Sequence, residues 1–140
     1  MSAEYDASAG RDGDVTSRDL ITTYLTAARG GDWATAYGFF ADDLRIRIPG
    51  RSEWAGERVG KQHAIEYIDA AIERHAGKVE VELVDMLVSD ERVLLIVRER
   101  FLNATPVEIL RANAYTVRDG EIVAIDIFEG DQYAVDELVH

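Results

Sequence analysis

Apolar positions fall at helical spacing early in the chain: Leu20, Ile21, Tyr24, Leu25 and Ala28 line one side of a helix that Thr16 or Ser17 caps and Gly30-Gly31 ends. Asp32 caps a second, shorter helix, in which Trp33, Ala36, Tyr37 and Phe40 form a single stripe. The period then changes to two. Leu44, Ile46 and Ile48 alternate with Arg45 and Arg47, the pattern of a half-buried strand, and Pro49 stops it. A third helix is expected from about Lys61 to Ala76, with Ala64, Ile65, Ile68, Ala71 and Ile72 apolar and Gly77 closing it.

The second half of the chain is rich in β-formers. Segments 79–88, 92–102, 107–118 and 121–128 are separated only by Ser89-Asp90-Glu91, Asn103-Ala104-Thr105-Pro106 and Asp119-Gly120, so neighbouring strands run antiparallel. A short amphipathic helix, 132–139, follows. Residues 1–13 are rich in Ser, Ala, Gly and Asp and lack periodicity, so they read as a disordered tail and 14–140 as one domain. Helices first and a meander afterwards predict an α+β fold, with three N-terminal helices packed on one face of a strongly curved antiparallel sheet and a short C-terminal helix.

Composition narrows the function classes. A 140-residue chain with 47% hydrophobic content supports one packed core. The absence of cysteine removes disulfides and thiolate chemistry. A formal net charge of −12 repels phosphate backbones, so nucleic acid is not an expected partner. No run is long and apolar enough for a membrane span, and the first residues have neither a basic nor an apolar leader segment. A cytoplasmic location without a membrane partner is expected. His63 and His75 do not stand at metal-ligand spacing, so neither a metal nor a cofactor is expected.

The run from Pro49 to Gly60, Pro-Gly-Arg-Ser-Glu-Trp-Ala-Gly-Glu-Arg-Val-Gly, joins the first strand to the third helix through three glycines. Its backbone can turn sharply around a pocket rim, and Trp54 within it either covers an apolar ligand or docks against the helices. Together with Tyr24, Gly31-Asp32, Phe40-Ala41-Asp42-Asp43 and Val117-Arg118-Asp119-Gly120-Glu121-Ile122-Val123, this run resembles the nuclear transport factor 2-like superfamily in its SnoaL-like and ketosteroid-isomerase-like branch. The resemblance implies a cone in which sheet and helices enclose a deep, mostly apolar pocket, and a homodimer formed through the outer face of the sheet. It implies no single reaction, because the fold hosts isomerases, dehydratases, cyclases, hydrolases and silent binding modules.

Catalytic patterns of the branch carry over only in part. The isomerase general base is an Asp just before the proline, and this chain has Ile48 there. The two oxyanion-stabilising positions correspond to Tyr24 and to Asn113, the latter in place of an acid. The Asp-Arg-Asp constellation of the limonene-epoxide-hydrolase-like members is not reproduced by Arg98-Glu99-Arg100 and Asp126.

On segment 107–118, the face carrying Ile109, Arg111, Asn113, Tyr115 and Val117 is expected inside the cone. A charge facing a core needs a partner, and Glu99, sharing a face with Val97 and Phe101, is the first choice for Arg111. A slip of one residue would instead turn Glu99 outward and bring Arg98 and Arg100 in. With Glu99 inward, the expected catalytic group is Glu99 as acid or base, Tyr24 and Asn113 as donors and Arg111 as anion stabiliser, in a pocket formed by Ile48, Trp54, Tyr115, Val117, Phe101 and Tyr37. The same residues also fit a structural ion pair without chemistry. The expected ligand is a small hydrophobic or carbonyl-bearing molecule, isomerised, cyclised or dehydrated without a cofactor; the alternative is a non-catalytic ligand-binding or dimerisation module.

Overall fold

The computed structural model describes residues 16–138. The expected tail, 1–13, and the last two residues lie outside them. The chain forms α1 (Ser17–Arg29), α2 (Trp33–Tyr37), β1 (Phe40–Ile48), β2 (Gly56–Val59), α3 (Lys61–His75), β3 (Val79–Val88), β4 (Arg92–Phe101), β5 (Val107–Arg118), β6 (Glu121–Glu129) and α4 (Gln132–Leu138). The architecture is the expected α+β arrangement, with a six-stranded, curved and unclosed sheet in the order β2-β1-β6-β5-β4-β3.

Local chemistry explains the element ends. Thr16 Oγ1 accepts from Asp19 N at 3.1 Å at the start of α1, and Asp32 Oδ1 accepts from Thr35 N at 3.2 Å at the start of α2. Asp119 and Gly120 adopt φ of 54° and 76°, the left-handed pair that a two-residue hairpin between β5 and β6 requires.

Three features differ from the expectation, and each comes from strand pairing rather than from the local pattern. The second helix ends at Gly38, so Phe40 belongs to β1 rather than to the α2 stripe; Ile122 N donates to Phe39 O at 2.7 Å and draws the chain into the sheet. The glycine run contains β2, which pairs antiparallel with β1 from Arg45↔Val59 to Ile48↔Gly56. The sheet is not wholly antiparallel either: β3 to β6 form the expected meander, but β1 lies parallel to β6, with Arg45, Ile46 and Arg47 opposite Ala124, Ile125 and Asp126. A parallel neighbour needs a long crossover, which short separators do not reveal.

The inner face of the sheet packs on α1 and α3 through Leu20, Ile21, Tyr24, Phe40, Leu44, Ile46, Leu95, Tyr115 and Ile122, all buried. A smaller cluster of Phe101, Ile109 and Val135 seats α4 at the other end of β4 and β5. Between the two clusters the inner face is left open.

Candidate functional site

The opening between the clusters is a cavity of about 470 Å³. One wall is the end of β1 with the glycine run, through Ile48, Pro49, Ser52 and Trp54; a second is the C-terminal half of α3, through Tyr67, Ala70, Ala71 and His75; the sheet supplies Val79, Val81, Glu99, Phe101, Arg111 and Glu129, and α4 supplies Val135 and Asp136. Most of this surface is apolar. Trp54 meets Tyr67 edge-on at 6.0 Å, and His75 meets Phe101 edge-on at 4.7 Å between ring centroids.

Arg74 and Asp136 add charge to the lining from α3 and α4, and its buried charged part is a triad on three adjacent strands. Val97 faces Arg111 and Arg111 faces Glu129, while Glu99 faces Ile109, which puts all three charged side chains on the inner face. Arg111 Nη1 donates to Glu99 Oε1 at 2.8 Å, and Arg111 Nε donates to Glu129 Oε1 and Oε2 at 3.0 and 2.9 Å. Side-chain exposure is 16% for both Arg111 and Glu99 and 3% for Glu129, so the triad is largely withdrawn from water. Burial raises the Glu99 pKa; Arg111 opposes this and Glu129 adds to it, because one guanidinium is shared between two carboxylates. Burial also works against the Arg111 charge, but Glu99 and Glu129 outweigh it and raise its pKa.

Two other titratable groups in the cavity are held neutral. Tyr67 has its pKa raised by burial, with Arg111 working against the shift and Glu129 and Glu99 supporting it. His75 has its pKa lowered, by burial first and then by Arg74, Arg111 and Lys78. The site therefore offers a carboxyl that takes up a proton readily, a phenol that keeps its proton, and a neutral imidazole, against aromatic walls. Among the described residues, no three His, Asp or Glu side chains are grouped as a metal site would need.

Of the residues singled out in the sequence, Glu99, Arg111, Ile48, Trp54 and Phe101 line this cavity. Tyr24, Asn113, Tyr115, Val117 and Tyr37 do not. Tyr24, Tyr115 and Val117 are buried in the main core, where the Tyr24 ring lies 5.6 Å from that of Tyr115. Burial raises the Tyr24 pKa well above its ordinary value and pushes that of Tyr115 up to about 12. Asn113 sits between Arg111 and Tyr115 on the same strand face, and its Oδ1 is buried without a hydrogen-bond partner. Tyr37 turns away and donates to Asp69 Oδ1 at 2.6 Å. Glu129 and Tyr67 were missed by sequence reasoning. Tyr67 was accessible to it, since it stands three residues after Ala64 and four before Ala71 on the buried side of α3.

The model of a SnoaL-like domain matches residues 21–125. Among solved structures, Bal32a from a soil-derived mobile gene cassette superposes with a TM-score of 0.78 at 22% identity, over 88% of this chain and 95% of that one. A protein of unknown function with a cystatin-like fold from Xanthomonas campestris gives 0.79 at 21% identity, over 89% and 98%. TerC, co-crystallised with polyporic acid, gives 0.71 at 17% identity, over 87% and 96%. No curated protein sequence matches.

Proposed function

Because this chain belongs to the SnoaL-like domain family, we propose that it binds a small, largely apolar carbonyl compound in the cavity beside Trp54 and moves a proton on it with Glu99, without a cofactor. The observation that carries this reading is the Glu99 carboxyl, with its raised pKa, at the polar end of an apolar cavity. Glu99 takes a proton from the carbon beside the carbonyl, or returns one to it. The Tyr67 hydroxyl donates to the carbonyl oxygen as charge develops on it, while Arg111, held between Glu99 and Glu129, fixes the position of the Glu99 carboxyl. Tyr67 takes the donor role that the family resemblance gave to Tyr24 and Asn113, since it is the tyrosine that lines the cavity. Such chemistry would serve an isomerase, a cyclase or a dehydratase acting in the cytoplasm.

The test is proton exchange beside a carbonyl. With 2-tetralone in heavy water, the protein should accelerate loss of the α-proton NMR signals, and Glu99→Gln should return the rate to that of buffer. A folded Glu99→Gln protein that exchanges as fast as the wild type would overturn the role of Glu99.

A second reading, a non-catalytic ligand-binding module, is favoured by Ile48, which stands in the cavity wall where isomerases of the branch have their base. Wild-type protein that binds 2-tetralone but exchanges its protons no faster than buffer would establish it.

The reading includes a homodimer through the outer face of the sheet. Leu87, Leu110 and Phe128 are exposed there, with Leu94, Ile96, Ala112 and Ala114 half-buried between them on β4 and β5. This apolar patch, bordered by the ion pairs of Arg98 with Glu82 and Glu108, is the surface a second copy would cover. No helix of the described residues is long and apolar enough to cross a membrane.

A further inference from the structure

Two carboxylates and one guanidinium meet at the polar end of the cavity, and this ratio discriminates between ligands. Arg111 engages Glu99 through Nη1 and Glu129 through Nε, so its positive charge is already more than matched inside the protein. No other buried cation stands beside it: His75 is neutral, and Arg74, which also lines the cavity, does so from the exposed last turn of α3, where water screens its charge. A carboxylate ligand pushed into this end would lose its hydration, meet Glu99 and Glu129, and find, among the described residues, no buried cation that is not already paired. An uncharged oxygen suffers none of these losses. A phenol can donate to a carboxylate oxygen of Glu99, and a carbonyl can accept from Glu99 when that carboxyl is protonated. Trp54, Tyr67 and Phe101 complete the preference by offering ring faces and edges to a flat apolar body.

We propose that the cavity selects uncharged aromatic ligands bearing a phenol or carbonyl oxygen, and that Glu129 sets this selectivity by cancelling the Arg111 charge that a carboxylate ligand would otherwise use. The inference rests on the reading of the cavity as a small-molecule site. Glu129 does this through its hold on Arg111 Nε, as a specificity-determining residue rather than a catalytic one.

Calorimetric titration with 2-naphthol and 2-naphthoate at pH 7.5, two probes that share the naphthalene ring and differ in charge, tests it. Wild-type protein should bind 2-naphthol at least about tenfold more tightly than 2-naphthoate. Glu129→Gln should narrow that ratio, and Glu99→Gln, which also leaves Arg111 with a single carboxylate, should narrow it too if the first variant fails to fold. With both carboxylates replaced, 2-naphthoate should become the preferred probe. Equal or tighter binding of 2-naphthoate by the wild type overturns the selectivity, and an unchanged ratio in folded Glu129→Gln overturns the role of Glu129. If the wild type binds neither probe, the small-molecule reading itself fails and the selectivity falls with it.

Discussion

Arg111 on β5 holds Glu99 of β4 at 2.8 Å on the inner face of the sheet, and the same guanidinium holds Glu129 of β6. Three strands are thus tied together at the point where the core gives way to a cavity. Removing the shared cation leaves two buried carboxylates with nothing between them. Arg111→Leu should therefore destabilise the protein by about 3 kcal/mol. Leucine at all three positions should cost far less, because no unpaired charge remains. Urea denaturation midpoints would check this, and a loss below about 1 kcal/mol for Arg111→Leu would mean that water reaches the triad freely.

Glu99 should leave a signature in the pH dependence of stability. Its folded pKa lies above the ordinary 4.5, so the folded state holds this proton more tightly than the unfolded state does. The stabilisation it brings is fully present below the unfolded value and is lost as pH rises through the folded one. Glu99→Gln should remove that segment of the curve. Glu129→Gln should shift it to lower pH, since Glu129 is one of the groups that raise the Glu99 pKa. Carboxyl titration followed by NMR would show whether the midpoint moves down; movement up would contradict the assigned coupling.

Gly50 should resist any side chain. Its φ is 105°, and an added Cβ would fall against Gln132 Nε2 and 2.5 Å from Asp136 Oδ1. That carboxylate oxygen is already committed, accepting from Arg51 N at 3.3 Å and from Gln132 Nε2 at 2.9 Å. Gly50→Ala should cost about 1 to 3 kcal/mol and expose α4 to limited proteolysis. Unchanged cleavage in α4 would separate the backbone strain from the docking of that helix.

Phe128 is 56% exposed on the outer sheet face. If a second copy covers that face, Phe128→Glu should convert a dimer to a monomer in sedimentation equilibrium with little loss of monomer stability. A wild-type protein that sediments as a monomer at all accessible concentrations would remove the dimer from the proposal.

What the sequence revealed and what it hid divide along a physical line. Alternation on β5 placed Ile109, Arg111, Asn113, Tyr115 and Val117 on one face, and the demand of a buried guanidinium for a counter-charge pointed to Glu99. Both are local inferences. Glu129 is different: it follows Phe128 and precedes Gly130, so it reads as a turn acid, and only the cross-strand register sets it opposite Arg111. The start of β1 at Phe40 depends likewise on a partner far along the chain, whereas the strand hidden in the glycine run depends on its pairing with the neighbouring β1. Tyr24 shows the reverse case, since a family correspondence pointed to it as a pocket donor while its packing on Phe40 and Tyr115 puts it in the core.

The parallel pairing of β1 with β6 also orders events at the ribosome. Arg45 finds Ala124 only after the whole meander has been synthesised, and until then β1 has only the four residues of β2 as a strand partner. Leu20, Ile21, Phe40, Leu44 and Ile46, all buried in the finished molecule, therefore emerge first and find cover last. The meander from β3 to β6 closes through short connections and can form without them. Nascent chains stalled before β6 should consequently be the species that chaperones hold and proteases find, so that the first third of the polypeptide is the last to become native.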